Sequence, residues 1–315
     1  MTMETTPRFL NGVYRFEGKG LTAPALLDAA LRGYKTIYQN AFSSAPSMYA
    51  SVATIVPSTT REEIYSWLGD MPKMREWIGD RRIKQLTAKG YSIVNRKFEM
   101  TIAVERDDIE DDKLSLYNAR FQMMGQSAAQ HPDEIAFELI NSGFTSLCYD
   151  GQNFFDTDHP VGQAGQEVSV SNMQAGSGEI WILADLSRPL KPFIFQKRRD
   201  YEFTTKEDGR TSDHVFMKDQ YLYGVDARVA AGFGFWQMAF GSKAELTSTN
   251  LRAAYTAMTN FTDDEGRKLN IRPTHLIVGN TNHFKARDIL MSEQVGGTTN
   301  TDRNLVQLMH APLLG

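Results

Sequence analysis

Cysteine is almost missing from this chain: Cys148 is the only one in 315 residues. A single thiol excludes an intramolecular disulfide framework and any zinc cluster built from several cysteines, and it fits a reduced, cytosolic setting. Histidine is sparse too, with six residues and no HExxH or other His-rich spacing. The uncharged stretch Tyr38 to Thr60 is broken by Pro46, Pro57 and repeated Ser and Thr, and the opening MTMETTPRFL lacks the basic-then-apolar layout of a signal peptide. Neither a signal peptide nor a membrane span is therefore expected. An excess of basic charge is also lacking: 34 Lys and Arg against 38 Asp and Glu leave a formal net charge of -4. A dedicated nucleic-acid binder normally carries a strongly basic domain, so any DNA contact is expected to be weak and local.

What the chain does have is material for packed cores, 41% hydrophobic and 11% aromatic residues, at a length that fits about two domains. It also has a charge reversal. Met71 to Lys97 carries eight basic residues (Lys73, Arg75, Arg81, Arg82, Lys84, Lys89, Arg96, Lys97) against two acids. Glu105, Asp107, Asp108, Glu110, Asp111 and Asp112 then follow with Arg106 as the only cation among them. Within one molecule such blocks gain little, because exposed ion pairs are worth only about 0–1 kcal/mol each. Between identical copies a basic arm over an acidic patch repeats at every contact, and repetition multiplies weak terms. The pattern points to self-assembly; the plain alternative is two solvated faces of one domain.

Along the chain, Leu27, Leu31, Tyr34, Tyr38 and Phe42 recur at helical spacing after Thr22 and Pro24 and predict an amphipathic helix. Ala41 to Ser51 reads as a linker into a short strand Val52 to Val56 that halts at Pro57. Thr60 and Glu63 have the spacing of a capping box for a helix Arg61 to Leu68. The basic stretch holds too many Gly and Pro for a long helix and reads as an extended arm or hairpin. It feeds a strand with Phe98, Met100, Ile102 and Val104 on one face.

Asp111 and Asp112 are expected to open the longest helix, whose stripe is Leu114, Tyr117, Phe121, Met124 and Ala128, with Pro132 starting a second segment up to Gly143, the two together making one long, kinked or broken helix. Strands and turns follow, with Asp208-Gly209 as a hairpin signal. Helical spacing returns at Leu251 to Phe261 and His283 to Met291, with a strand Ile271 to Gly279 between them; Ser292 to Asn304 reads as a polar loop. No internal repeat is visible.

Candidate chemistry is thin. Asp156, Asp158 and His159 in FFDTDHP put two carboxylates and an imidazole within four residues, which could hold a hard divalent metal for a hydrolase. Asx-turn and capping roles before Pro160 account for the same letters and are preferred. His275 and His283 suggest packing, and Cys148 a buried small hydrophobe rather than a nucleophile. Gly232, Gly234 and Gly241 have the wrong spacing for a dinucleotide loop and read as a tight, aromatic-packed strand region; Lys197, Arg198 and Arg199 read as a solvated strand edge.

Six ordered blocks carry a resemblance: IYSWLGDMPKMREWIGDRRI (64–83), FEMTIAVERDDIEDD (98–112), DGQNFFDTDHPV (150–161), WILADLSRPLKPFIFQKR (181–198), YLYGVDARVAAGFGFWQMAFGS (221–242) and GRKLNIRPTHLIVGN (266–280). Together they are similar to the Mu-like phage major head subunit family, from about residue 10 onward. The resemblance implies an α+β, HK97-like phage major capsid fold: an N-terminal arm and first peripheral strand over 1–60, an extended loop and return strand over 61–105, the spine helix of a peripheral domain over 106–149, an axial domain with associated peripheral strands over 150–300, and a C-terminal return segment over 301–315.

It implies a structural, non-enzymatic protein of the virion capsid, assembled in the bacterial host cytoplasm from hexamers and pentamers of itself into an icosahedral head around double-stranded DNA. No cofactor, metal or membrane is implied. A portal and a decoration protein are expected partners. Since only roughly 60 residues precede the extended loop, a separate scaffold protein is expected as well. The alternative within the same fold is an encapsulin-like compartment.

Overall fold

The computed structural model describes residues 8–10, 13–15, 23–68, 90–111, 113–163, 165–208 and 212–315. It divides into two compact units, one of residues 1–47, 96–132 and 198–229, the other of 48–95, 133–197 and 230–315. Among the described residues no helix is long and apolar enough to cross a membrane.

In the first unit the expected amphipathic helix spans Ala23–Ser44 and buries Tyr34 and Tyr38. The expected strand runs Arg96–Glu105 and pairs antiparallel with Gln220–Phe233, in a register that sets Glu105 opposite Gln220 and Arg96 opposite Val229. Its inward positions Met100, Ile102 and Val104 join a core of Tyr34, Tyr38, Ile109, Leu114, Tyr117, Phe121, Met124, Ala128 and Tyr223. The ring of Tyr34 stacks on Phe121 with centroids 4.1 Å apart. The helix Ala23–Ser44 meets the helix Asn118–Asn141 closely at Gly125, where a Cβ would come within 2.5 Å of the Tyr38 carbonyl oxygen and 2.8 Å of Ala41 Cβ.

The predicted stripe of the long helix is correct, but its start is not. The acids form a separate short helix, Arg106–Glu110, and a 3-10 turn Leu114–Tyr117 precedes the long helix Asn118–Asn141. Ile109, Leu114 and Tyr117 are all buried, so apolar anchoring sets this break. The acids still lie where a macrodipole favours them, since Asp107 and Asp108 occupy the first turn of the short helix. The segments on either side of Pro132 form one long helix, one of the forms expected of a single kinked or broken helix, with Pro132 inside it.

The second unit contains a five-stranded sheet in the order Gln307–His310, His275–Val278, Trp181–Ala184, Ala239–Ser242, Met173–Gln174. Trp181 to Ala184 is buried throughout, as a central strand covered on both faces requires. The strand Ala53–Pro57 pairs parallel with residues 193–197 of the strand Phe193–Lys206.

The expected helix Arg61 to Leu68 is absent; Glu62–Ile64 is a strand paired with Ser92–Val94. Glu63 does reach back as a capping box would, accepting from the Thr59 and Thr60 amides at 2.7 and 3.1 Å and from Ser58 Oγ at 2.8 Å, but it closes a turn rather than a helix. Those donors hold its carboxyl at about 2. Of the hairpin signal Asp208-Gly209, Gly209 lies outside the described residues. A short helix Asp213–Lys218, capped by Ser212, lies between the strands Phe193–Lys206 and Gln220–Phe233. The aromatic reading of 232–241 holds: Phe233, Phe235 and Trp236 are buried, and a Cβ on Gly241 would meet the Phe155 ring at 2.6 Å. The polar 292–304 segment contains a small hairpin, Gln294–Val295 with Thr298–Thr299, turned by Gly296 and Gly297 at φ of 59° and 80°.

Candidate functional site

The acidic junction is built where the strand Arg96–Glu105 ends and the helix Arg106–Glu110 begins. Glu105, Asp107, Glu110 and Asp111 are exposed, and Asp108 is half-buried because the Tyr117 hydroxyl donates to it at 2.7 Å. Two cations neutralise part of the patch. Arg106 Nε lies 2.9 Å from Glu110 Oε1, and Lys113 Nζ lies 2.8 Å from Asp111 and 3.6 Å from Asp108.

The register adds an acid that no sequence spacing revealed. Because Gln220 faces Glu105, the preceding Asp219, held at a left-handed φ of 53°, comes within 3.5 Å of Arg106 Nη1, and its carbonyl accepts the Arg106 amide. Gln220 Nε2 donates to Glu105 at 2.6 Å. Of the other residues marked by charge, Lys73, Arg75, Arg81, Arg82, Lys84, Lys89 and Asp112 lie outside the described residues. Arg96 and Lys97 are exposed at the start of their strand, with the Arg96 guanidinium over the Phe98 ring at 5.1 Å. Arg199 pairs with Asp226 on the strand Gln220–Phe233.

The group Asp156, Asp158 and His159 does not form a metal site. Asp156 uses its carboxylate on the amides of Asn153 and Thr157, at 3.1 and 2.7 Å, which is the turn chemistry preferred from sequence. Asp158 is exposed, and His159 turns inward. Its Nδ1 lies 2.7 Å from Asp150 Oδ2, with the two side chains 0% and 3% exposed, and its ring lies flat on Trp236 at 4.0 Å. Asp150 also takes the Cys148 thiol at 3.1 Å and the Gln152 amide at 3.0 Å. Burial alone would raise the Asp150 pKa, yet the His159 hydrogen bond and charge, with these two donors, hold it below the usual carboxylate value. Burial pushes the Cys148 thiol well up, as a small buried residue should be. Asp150 and Asn172, the partners that make this cluster, were not marked from sequence, and their spacing from His159 carries no periodic signal.

Comparison with known proteins agrees with the blocks quoted above. Residues 27–314 match the family model described as Mu-like prophage major head subunit gpT. The chain is 43% identical over 290 residues to the major capsid protein of Escherichia phage Mu, covering 89% of this chain and 94% of that protein. It is 42% identical over 266 residues to the Mu-like prophage FluMu major head subunit of Haemophilus influenzae, covering 81% and 85%. Among solved structures, a chain of the bacteriophage JBD30 procapsid aligns over 93% of this chain and 100% of its own, at 45% identity and a TM-score of 0.83. A chain of the JBD30 capsid decorated with minor capsid protein trimers aligns over 88% and 94%, at 36% identity and a TM-score of 0.73. The chain belongs to the Mu-like prophage major head subunit family, and is a structural subunit of the phage head with the α+β, HK97-like major capsid fold.

Proposed function

We propose that copies of this chain join through the basic segment Met71 to Lys97 of one subunit lying over the acidic junction Glu105 to Asp112 of the next, in hexamers and pentamers of an icosahedral head that encloses double-stranded DNA. The observation that carries this reading is the acidic junction itself: among the described residues, Glu105, Asp107, Asp108, Glu110, Asp111 and the added Asp219 cluster around Arg106 and Lys113, and most of them are exposed. Lys73, Arg75, Arg81, Arg82, Lys84 and Lys89 supply the opposite charge.

Exposed apolar side chains point the same way. Leu116, Met123, Phe216 and Met217 in the first unit, and Phe284 in the second, are between 66% and 78% exposed, a state that suits burial against a neighbour. Shell contacts of this kind bury about 2,000 Å² or more, and charge then sets register and partner choice more than net energy. The domain plan read from the resemblance, with an arm over 1–60, an extended loop within 61–105, a spine over 106–149, an axial domain over 150–300 and a return segment over 301–315, accompanies this reading.

The chain acts without catalysis of its own, alongside a separate scaffold protein, a portal and a decoration protein. The decorated JBD30 capsid supports the last of these. Mild net acidity suits a container, because a strongly basic wall would hold DNA by counterion release. Negative-stain microscopy of the expressed chain, with and without the scaffold encoded beside it, tests the assembly: shells, tubes or sheets are expected. A stable monomer at high concentration under both conditions refutes it.

A further inference from the structure

Cys148 Sγ, Asp150 and His159 Nδ1 bring three ligand atoms within 4.8 Å of one another, all from one stretch of the second unit. The orientation of the imidazole is fixed by Asn172, whose own amide is fixed in turn. Asn172 Nδ2 points at the carbonyl oxygens of Phe154 and Ala239, at 2.8 and 3.2 Å, while Oδ1 accepts the Asp156 amide at 2.9 Å. That oxygen also lies 3.2 Å from His159 Nε2, so Nε2 carries a hydrogen and donates it. Nδ1 is therefore the nitrogen presented to Asp150 and Cys148, and Trp236 stacked at 4.0 Å prevents the ring from turning away. An imidazole whose far nitrogen donates to a protein oxygen is the usual outer arrangement of a metal-ligating histidine.

We propose that Cys148, Asp150 and His159 form a site for a zinc-class divalent transition metal, held through Sγ, a carboxylate oxygen and Nδ1, with a water molecule completing four-coordination. The donor set decides the class. Thiolate and imidazole favour zinc and its neighbours, whereas magnesium and calcium take oxygen ligands. In the metal-free chain, hydrogen bonds of 3.1 Å from the thiol to Asp150 and 2.7 Å between Asp150 and His159 keep the same atoms together. Binding breaks the S–H bond, displaces any proton on Nδ1 and forms metal–sulfur, metal–nitrogen and metal–oxygen bonds; the protons pass to solvent and nothing is oxidised or reduced. The ion would tie the turn at Cys148 and Asp150 to the strand His159–Val161.

The test titrates the full-length chain, stripped by a chelator, with Co2+ and then Zn2+. One equivalent of Co2+ per chain is expected, with the near-ultraviolet charge-transfer band of a cobalt–thiolate bond, displaced by Zn2+. Cys148→Ser removes that band and weakens binding by more than the roughly 10- to 100-fold that loss of an outer hydrogen-bond partner costs, while Asp158→Asn, altering an exposed residue outside the cluster, binds like wild type. Should Cys148→Ser fail to fold, X-ray absorption on the zinc-loaded wild-type chain reads a sulfur ligand directly. No stoichiometric cobalt, zinc bound by nitrogen and oxygen alone, unchanged binding in Cys148→Ser, or loss of binding in Asp158→Asn would each overturn the assignment.

Discussion

Arg106 pairs with Glu110 one turn along the same short helix, Nε to Oε1 at 2.9 Å, and reaches toward Asp219 as well. Arg106 and these two acids are 45% to 61% exposed, so the pairs contribute little to folding. Arg106→Ala is expected to change the unfolding free energy of the subunit by less than about 1 kcal/mol. The acidic patch becomes more negative, so assembly with a wild-type basic loop should tolerate more salt before it fails. Light scattering of assembly against ionic strength reads this shift, and an unchanged salt midpoint would argue that the junction makes no contact.

The close crossing at Gly125 gives a second expectation. Gly125→Ala gains intrinsic helix propensity, yet its Cβ would press on the Tyr38 carbonyl oxygen and on Ala41. Both atoms belong to the helix Ala23–Ser44 and cannot swing away as a flexible side chain would. A net destabilisation of about 1–3 kcal/mol is expected, measured by urea unfolding of unassembled subunits. A more stable variant would show that the helices are farther apart.

The buried pair of His159 and Asp150 sets a third. His159→Ala leaves the Asp150 carboxylate inside the unit without its main partner, and breaking such pairs costs about 3–5 kcal/mol. His159→Asn keeps a donor and should lose less. Equal losses for the two variants, by the same urea measurement, would count against this pairing.

Glu63 provides a pH dependence. Its carboxyl is held at about 2, below the ordinary value of 4.5, by the backbone donor Thr59 first, then Ser58 and Thr60. A lowered value means the turn is fully stabilised above about 4.5 and loses that contribution as pH falls toward about 2. The carbon-13 shift of the Glu63 carboxyl, followed against pH, should show the low midpoint; titration at 4.5 would mean that the turn does not close on this side chain.

Periodic features were legible in the chain itself. The stripes of Tyr34 and Tyr38, of Phe121 and Met124, and of Met100, Ile102 and Val104 repeat often enough that burial follows the pattern. Boundaries were less legible. The helix expected at Arg61 became a strand because Ser92 to Val94, about 30 residues away, offers Glu62–Ile64 a partner, and Glu63 serves a turn as well as it would serve a cap. The start of the long helix was misplaced because Asp111 reads as a helix opener while the buried Leu114 and Tyr117 impose an intervening turn.

Sites assembled by tertiary contact were hidden for the same reason. Asp219 joins the acidic junction through strand register, and Asp150 and Asn172 meet His159 through folding of a loop. Charge blocks, by contrast, are visible without any fold, and of the acids they mark, Glu105, Asp107, Glu110 and Asp111 are exposed.

The most direct measurement is a charge swap across the contact. Arg81→Glu, Arg82→Glu and Lys84→Glu combined in one chain should leave the subunit folded by circular dichroism but give no shells by electron microscopy, alone or mixed with wild type. Shells should return when Asp107→Lys, Glu110→Lys and Asp111→Lys are added to the same chain. Normal shells from the first triple variant would contradict the basic-to-acidic contact on which this account of assembly stands.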